Sequence, residues 1–270
     1  MQNIVKFNKT VIGMVHVQAL PGTPQNHVKI QQIIEHAIDD AQKLERGGVD
    51  AIMIENMHDR PYINRKVGPE IVASMTAVAL SLRKAVQLPL GIQILAGANQ
   101  EALSVALAAG FDFIRAEGFV FGHLADEGMM NSDAANLLRF RKQMGAEHIQ
   151  IFTDIKKKHS SHEVTADVSI AETAKAAAFF LSDGIVVTGS ATGEKTSKQD
   201  LEAVSAAIKL PVIIGSGVQT NNIAEYWSLA DAFIVGSYFK FDGNWENDVD
   251  PARVADFMMK VHQLRSSVTQ

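Results

Sequence analysis

The chain has 270 residues, 47% of them hydrophobic, a net charge of −5 and no cysteine. That length suits one large α/β domain or two small ones, with enough apolar side chains for a substantial core. Lack of cysteine excludes disulfides, thiolate metal centres and a cysteine nucleophile; the acidic balance without a long basic run argues against nucleic acid; and no apolar run reaches the roughly 20 residues of a membrane-spanning helix.

Residues 1–10 are polar and lack the apolar segment of a secretory signal, so the expectation is a cytoplasmic protein. The first apolar, β-branched run, 11–16, reads as a strand. It leads into Val15-His16-Val17-Gln18-Ala19-Leu20-Pro21-Gly22-Thr23-Pro24, whose prolines and glycine stiffen the path and aim His16 and Gln18 at a pocket. A helix over 29–46 ends at Gly47-Gly48, and a strand over 51–55 follows. Helix 70–86, strand 90–95 behind Pro89, helix 100–109 closed by Gly110, and strand 113–117 continue the alternation. A charged connection, 118–132, precedes helix 133–144, which Gly145 ends, and strand 149–154. A second charged connection, 155–167, carries Lys156-Lys157-Lys158, His159 and His162. Both connections are candidate lids. Helix 168–181 and strand 184–188 lead to Thr188-Gly189-Ser190-Ala191-Thr192-Gly193, then a helix over 198–208 capped by Ser197. The chain closes with strand 211–215, Gly215-Ser216-Gly217, a short helix over 222–229 capped by Asn221 or Asn222, strand 232–236, Gly236-Ser237, and helix 251–264.

Strict β-then-α alternation argues a parallel sheet, and eight such units in this length favour a closed TIM (β/α)8 barrel, a single domain over 1–270. An open doubly wound sheet would place a glycine fingerprint after the first strand, and GxGxxG is absent there. In barrels the loops after strands seven and eight are a frequent phosphate site. Here Gly215, Ser216 and Gly217, then Gly236 and Ser237, repeat a small-residue turn whose backbone amides can cradle an anion. Thr188, Gly189 and Gly193 extend or close that cradle; the P-loop spacing is absent.

Side chains alternate along a strand, so parity selects the inward set. It sends Ala51, Met53 and Glu55 inward, with Gly91, Gln93 and Leu95, Phe113, Arg115 and Glu117, Ile12, Met14 and His16, and Phe152 and Asp154. A polar ring of His16, Glu55, Gln93, Arg115, Glu117 and Asp154 results at the carboxyl ends of the strands. Polar groups inside a barrel require partners, and the expectation is that Arg115 bridges to Glu55 or Glu117. The catalytic candidates are His16, Glu55, Arg115, Glu117, Asp154 and Lys156, the last able to neutralise a phosphate or act as an amine nucleophile. His16, Glu55, Glu117 and Asp154 are also donors suited to Mg2+, Mn2+ or Zn2+, but HxH and HExxH spacings are absent; no organic cofactor is implied.

The segments HVQALPGTP (16–24), IEN (54–56), IRAEGF (114–119), FTDIKKKH (152–159), VTGSATG (187–193), IGSGV (214–218) and IVGSYFK (234–240) together resemble the BtpA/SgcQ family. The resemblance implies a TIM barrel akin to phosphate-binding barrels. It also implies an association, in some members, with photosystem I accumulation, and in others with sugar uptake. No established reaction comes with it. The chain departs from the pattern at Glu117, where asparagine is expected, and at Lys156-Lys157. Three readings follow: an enzyme acting on a phosphorylated small metabolite such as a sugar phosphate, by isomerase, aldolase or lyase chemistry; a metal-dependent hydrolase; and a non-catalytic assembly or regulatory factor that keeps the pocket. The expected partner is a phosphorylated small-molecule ligand, with no membrane insertion, and the outer helices of a barrel allow a homo-oligomer.

Overall fold

The computed structural model describes residues 4–5, 9–189 and 195–267. Its centre is a closed parallel barrel in which each strand pairs with its sequence neighbours. The strands are β1 (Thr10–His16), β2 (Ala51–Glu55), β3 (Leu90–Gln93), β4 (Phe113–Ala116), β5 (Gln150–Ile155), β6 (Gly184–Val187), β7 (Val212–Ile214) and β8 (Ala232–Val235). β8 pairs with β1 and closes the ring. Outside run α1 (Ile30–Arg46), α2 (Pro69–Ala85), α3 (Asn99–Ala109), α4 (Ala134–Gln143), α5 (Ile170–Phe179), α6 (Lys198–Ala207), α7 (Ile223–Tyr226) and α8 (Pro251–Ser267). Among the described residues no helix is long and apolar enough to cross a membrane.

The strands are almost wholly buried because helices cover one face and the barrel interior the other. The interior cluster contains Ile12, Met14, Ala51, Met53, Phe113, Phe152, Val186, Ile213, Ala232 and Ile234, so the inward parity expected of the first five strands holds. Packing is by complementary size: a Cβ on Gly91 would lie 2.1 Å from the Phe113 ring, and one on Gly184 would lie 2.9 Å from the Phe152 ring. The two phenylalanines stack obliquely, 5.4 Å between centroids. They form an apolar floor directly below Arg115 and Asp154, which continue the same faces of β4 and β5.

Two local features differ from the sequence reading. The two charged connections expected as lids carry a small sheet of their own: His123–Ala125 and Gly128–Met130 make a hairpin that also pairs with Ser160–Ser161. Asn222 does not cap α7. Its Oδ1 accepts from the Gln219 amide at 2.8 Å and its Nδ2 donates to the Gly217 carbonyl at 2.9 Å, so it stitches the turn after β7 together instead. Ser197 does cap α6, accepting from the Asp200 amide at 3.3 Å.

Candidate active site

The carboxyl ends of the strands open into a cavity of about 590 Å3, within the range of small-molecule sites. His16, Glu55, Gln93, Arg115 and Glu117 line it, together with Gly215, Ser216, Gly217, Gly236 and Ser237. The polar ring and both late glycine turns therefore share one space.

Register explains the ring. His16 pairs with Glu55, and Glu55 with Gln93, on adjacent strands, which brings their side chains to one level. Arg115 pairs with Phe152, so Asp154, two residues on, rises beside the guanidinium. Arg115 Nε and Nη2 each donate to an Asp154 carboxylate oxygen at 2.8 Å. This bidentate pair replaces the expected bridge to Glu55 or Glu117: those carboxylates stand on β2 and at the end of β4 itself, whereas only β5 offers a carboxylate along the fork of the guanidinium. Burial would weaken the charge on Arg115, but Asp154 more than offsets it and holds the group charged. Glu117 instead accepts from Gln93 Nε2 at 3.0 Å and pairs with Lys157 Nζ at 3.2 Å. The Glu55 carboxylate has no hydrogen bond to another described residue, although its main-chain carbonyl accepts from the Val17 amide at 2.8 Å. Its carboxyl is pushed up by burial, with Arg115 and Lys158 pulling the other way. Lys158 is pushed down by burial and by Arg115.

His16 is clasped by the loop that follows β8, the strand paired with its own. Its Nδ1 lies 2.9 Å from the Trp245 carbonyl. A carbonyl only accepts, so Nδ1 carries the proton and Nε2 is the bare nitrogen. A Cβ on Gly236 would meet that Nε2 at 3.1 Å, so glycine leaves it uncovered. Burial and then Lys240 push the imidazole well below its ordinary range, so it stands neutral at pH 7. Lys240 is itself buried, paired with Asp40 at 2.7 Å.

The turns of β7 and β8 offer backbone donors. Among the described residues the amides of Gly217, Val218, Ser237 and Tyr238 find no acceptor in the protein. Gly217 has φ +74°, a left-handed conformation that favours glycine. Gly215 is required for a different reason: a Cβ there would lie 3.0 Å from Arg115 Nη2. Arg253, near the start of α8, lines the cavity beside these turns, stacked on Tyr238 at 4.6 Å.

Other candidates fall elsewhere. Asp154 stands behind Arg115 rather than on the cavity wall. Lys156 does not line the cavity: with φ +42° it turns away, and its Nζ donates to the Thr165 carbonyl at 3.1 Å. That same twist swings Lys157 and Lys158 inward. Gln18 is not on the wall either. Thr188 Oγ1 accepts from the Lys158 amide at 3.2 Å, and the Gly189 amide donates to Ser216 Oγ at 3.4 Å, so both brace the site from behind. Gly193 lies outside the described residues. Among the described residues no three His, Asp or Glu side chains converge as metal ligands; Asp154 and Glu117 are taken by cations instead. Sequence reasoning did not find Arg253, Trp245 or the Lys240–Asp40 pair. Arg253 carried a usable signal, a cation in the first turn of a helix, against the helix dipole.

A family model described as BtpA family matches residues 7–263. A Caenorhabditis elegans protein whose name places it in mitochondria is 49% identical, covering 94% of each chain. The Photosystem I biogenesis protein BtpA of Synechocystis is 35% identical over 92% of this chain and 86% of its own. Among solved structures, thiamine phosphate pyrophosphorylase from Pyrococcus furiosus superposes with a TM-score of 0.60 at 13% identity, covering 97% of this chain and 99% of that one.

Proposed function

This chain belongs to the BtpA family, and we propose that it is an enzyme acting on a phosphorylated small metabolite of the sugar phosphate kind, by isomerase, aldolase or lyase chemistry. The observation that carries this reading is the shared cavity: unpaired backbone amides on one side, an acid–base ring on the other. The phosphate sits against Gly217, Val218, Ser237 and Tyr238, with Arg253 supplying the formal charge. The rest of the ligand then lies over Glu55, His16 and Arg115.

These reaction classes share one step, removal of a proton or carbon fragment next to a carbonyl, with negative charge gathering on oxygen. Neutral His16, through Nε2, and Glu55 serve as base and acid. Arg115, held rigid by both oxygens of Asp154, faces the developing charge without reorganising. The structural likeness to a thiamine phosphate enzyme supports the phosphate end and says nothing of the reaction. A cytoplasmic setting, self-association through outer helices, and the absence of nucleic-acid or membrane partners belong to the same reading.

Thermal shift with phosphate, sulfate and sugar phosphates tests it. A ligand at 100 times its Kd stabilises by about 2.7 kcal/mol, or roughly 5–10 °C for a domain of this size. No shift with any of them removes the phosphate cradle. The Synechocystis relative's name favours a second reading, a non-catalytic factor in assembly. Under that reading His16→Ala and Glu55→Gln variants that keep their fold still complement a deletion; under the enzyme reading they do not.

A further inference from the structure

Apart from His16 Nε2 and Arg60 Nε, the unpaired atoms of the cavity are sorted by sign. On the β7–β8 side they are donors. On the β3–β4 side they are acceptors. Gln93 is 2% exposed. Its Nε2 donates to Glu117 Oε1 at 3.0 Å, which orients the amide and leaves Oε1 with no partner among the described residues. The reversed amide would set oxygen against carboxylate, so chemistry dictates this orientation. Glu127, at the tip of the hairpin over the mouth, also lines the cavity, and its Oε2 is buried and unpartnered. Glu55 adds a third acceptor. In a closed ring of this strand order, β3 faces β7 and β4 faces β8. The acceptors therefore look across the cavity at the amides.

We propose that the β3–β4 wall is a hydroxyl-reading subsite, with Gln93 Oε1 and Glu127 Oε2 as its acceptors, and that the ligand is a phosphate ester of a polyhydroxylated carbon chain. Its hydroxyls lie at the end remote from the phosphate. The inference rests on the phosphate reading above and supplies the other half of the ligand. Hydroxyl groups fit better than an ammonium group. Glu117 is already neutralised by Lys157 at 3.2 Å, and Glu55 lies in the fields of Arg115 and Lys158. The wall needs donors, not positive charge. A ligand without donors would leave buried acceptors dry, which is how such sites reject deoxygenated analogues.

Calorimetric titration of the full chain with inorganic phosphate, ribitol phosphate, pentyl phosphate and aminopentyl phosphate tests this. Ribitol phosphate should bind at least about tenfold tighter than pentyl phosphate, the scale of one buried acceptor left unpaired. In Gln93→Leu and in Glu127→Ala that ratio should fall toward unity while inorganic phosphate binds as before. Glu127 sits on the outer hairpin, so its variant is informative even if Gln93→Leu fails to fold. Equal binding of ribitol and pentyl phosphates overturns the subsite and leaves the phosphate cradle standing. Tighter binding of aminopentyl phosphate overturns it in favour of a cation site, and a full ratio kept in both variants overturns the residue assignment. Failure of all four probes, inorganic phosphate included, removes the cradle and this inference with it.

Discussion

The two walls of the cavity are built on different principles. The β7–β8 wall works with backbone: glycines, small side chains and amides left free by the turn. The β2–β5 wall works with side chains: Glu55, Gln93, Arg115, Glu117 and Asp154, each placed by strand register and tied to a neighbour or turned to the cavity. A backbone site is held by local geometry and is tolerant of its surroundings. A side-chain site is held by pairs from distant parts of the chain, so losing one member exposes the other.

That contrast predicts unequal consequences. The largest belongs to Arg115→Met, which strands Asp154 as a buried unpaired charge and should cost about 3–5 kcal/mol in urea denaturation. Arg115→Met with Asp154→Leu should recover most of that. A mild single variant would mean that the pair does not organise the floor. On the other wall, Asn222→Ala removes two hydrogen bonds from a fully buried side chain and should cost about 1–3 kcal/mol. It should also weaken phosphate binding, because Gly217 loses its anchor; unchanged binding would detach Asn222 from the cradle.

Acid should attack the molecule through its histidines. Burial lowers His16 well below its ordinary range and brings His58 and His123 to about 4. Unfolded histidine binds its proton near 6.5. Between there and the folded value the unfolded state binds more protons, so stability is complete above about pH 6.5 and falls as pH drops toward 4. Each histidine adds a slope of at most about 1.4 kcal/mol per pH unit. Glu55 runs the other way: its folded carboxyl is raised by burial, so its contribution is lost as pH climbs from the ordinary carboxylate value through the folded one. Urea midpoints measured from pH 7.5 down to pH 4.5, as an approximate span, should show a shallower decline in His16→Gln than in the parent. Parallel curves would mean that His16 titrates normally.

The smallest effect expected is that of Lys156→Ala. Among the described residues its ammonium's hydrogen-bond partner is the Thr165 carbonyl, so stability should change within about 0.5 kcal/mol and phosphate binding not at all. A marked loss of binding would place Lys156 in the site after all.

Much of this was legible from residue order, because the signals were local. Alternation along a strand is a two-residue property, so the inward face of the first five barrel strands could be read off, and the strands followed within a residue or two. Paired small-residue turns are equally local, and Gly215, Ser216, Gly217, Gly236 and Ser237 stand where the pattern put them. What residue order left open was pairing across the ring. Arg115 met Asp154 and not Glu117, Lys157 and Lys158 entered in place of Lys156, and Trp245 clasped His16 across 229 residues. Periodicity says which face a side chain takes. Its partner depends on strand register, on one backbone twist at Lys156, and on loops folding over the barrel mouth. Those are set by packing of the whole chain, and only the tertiary structure decides them.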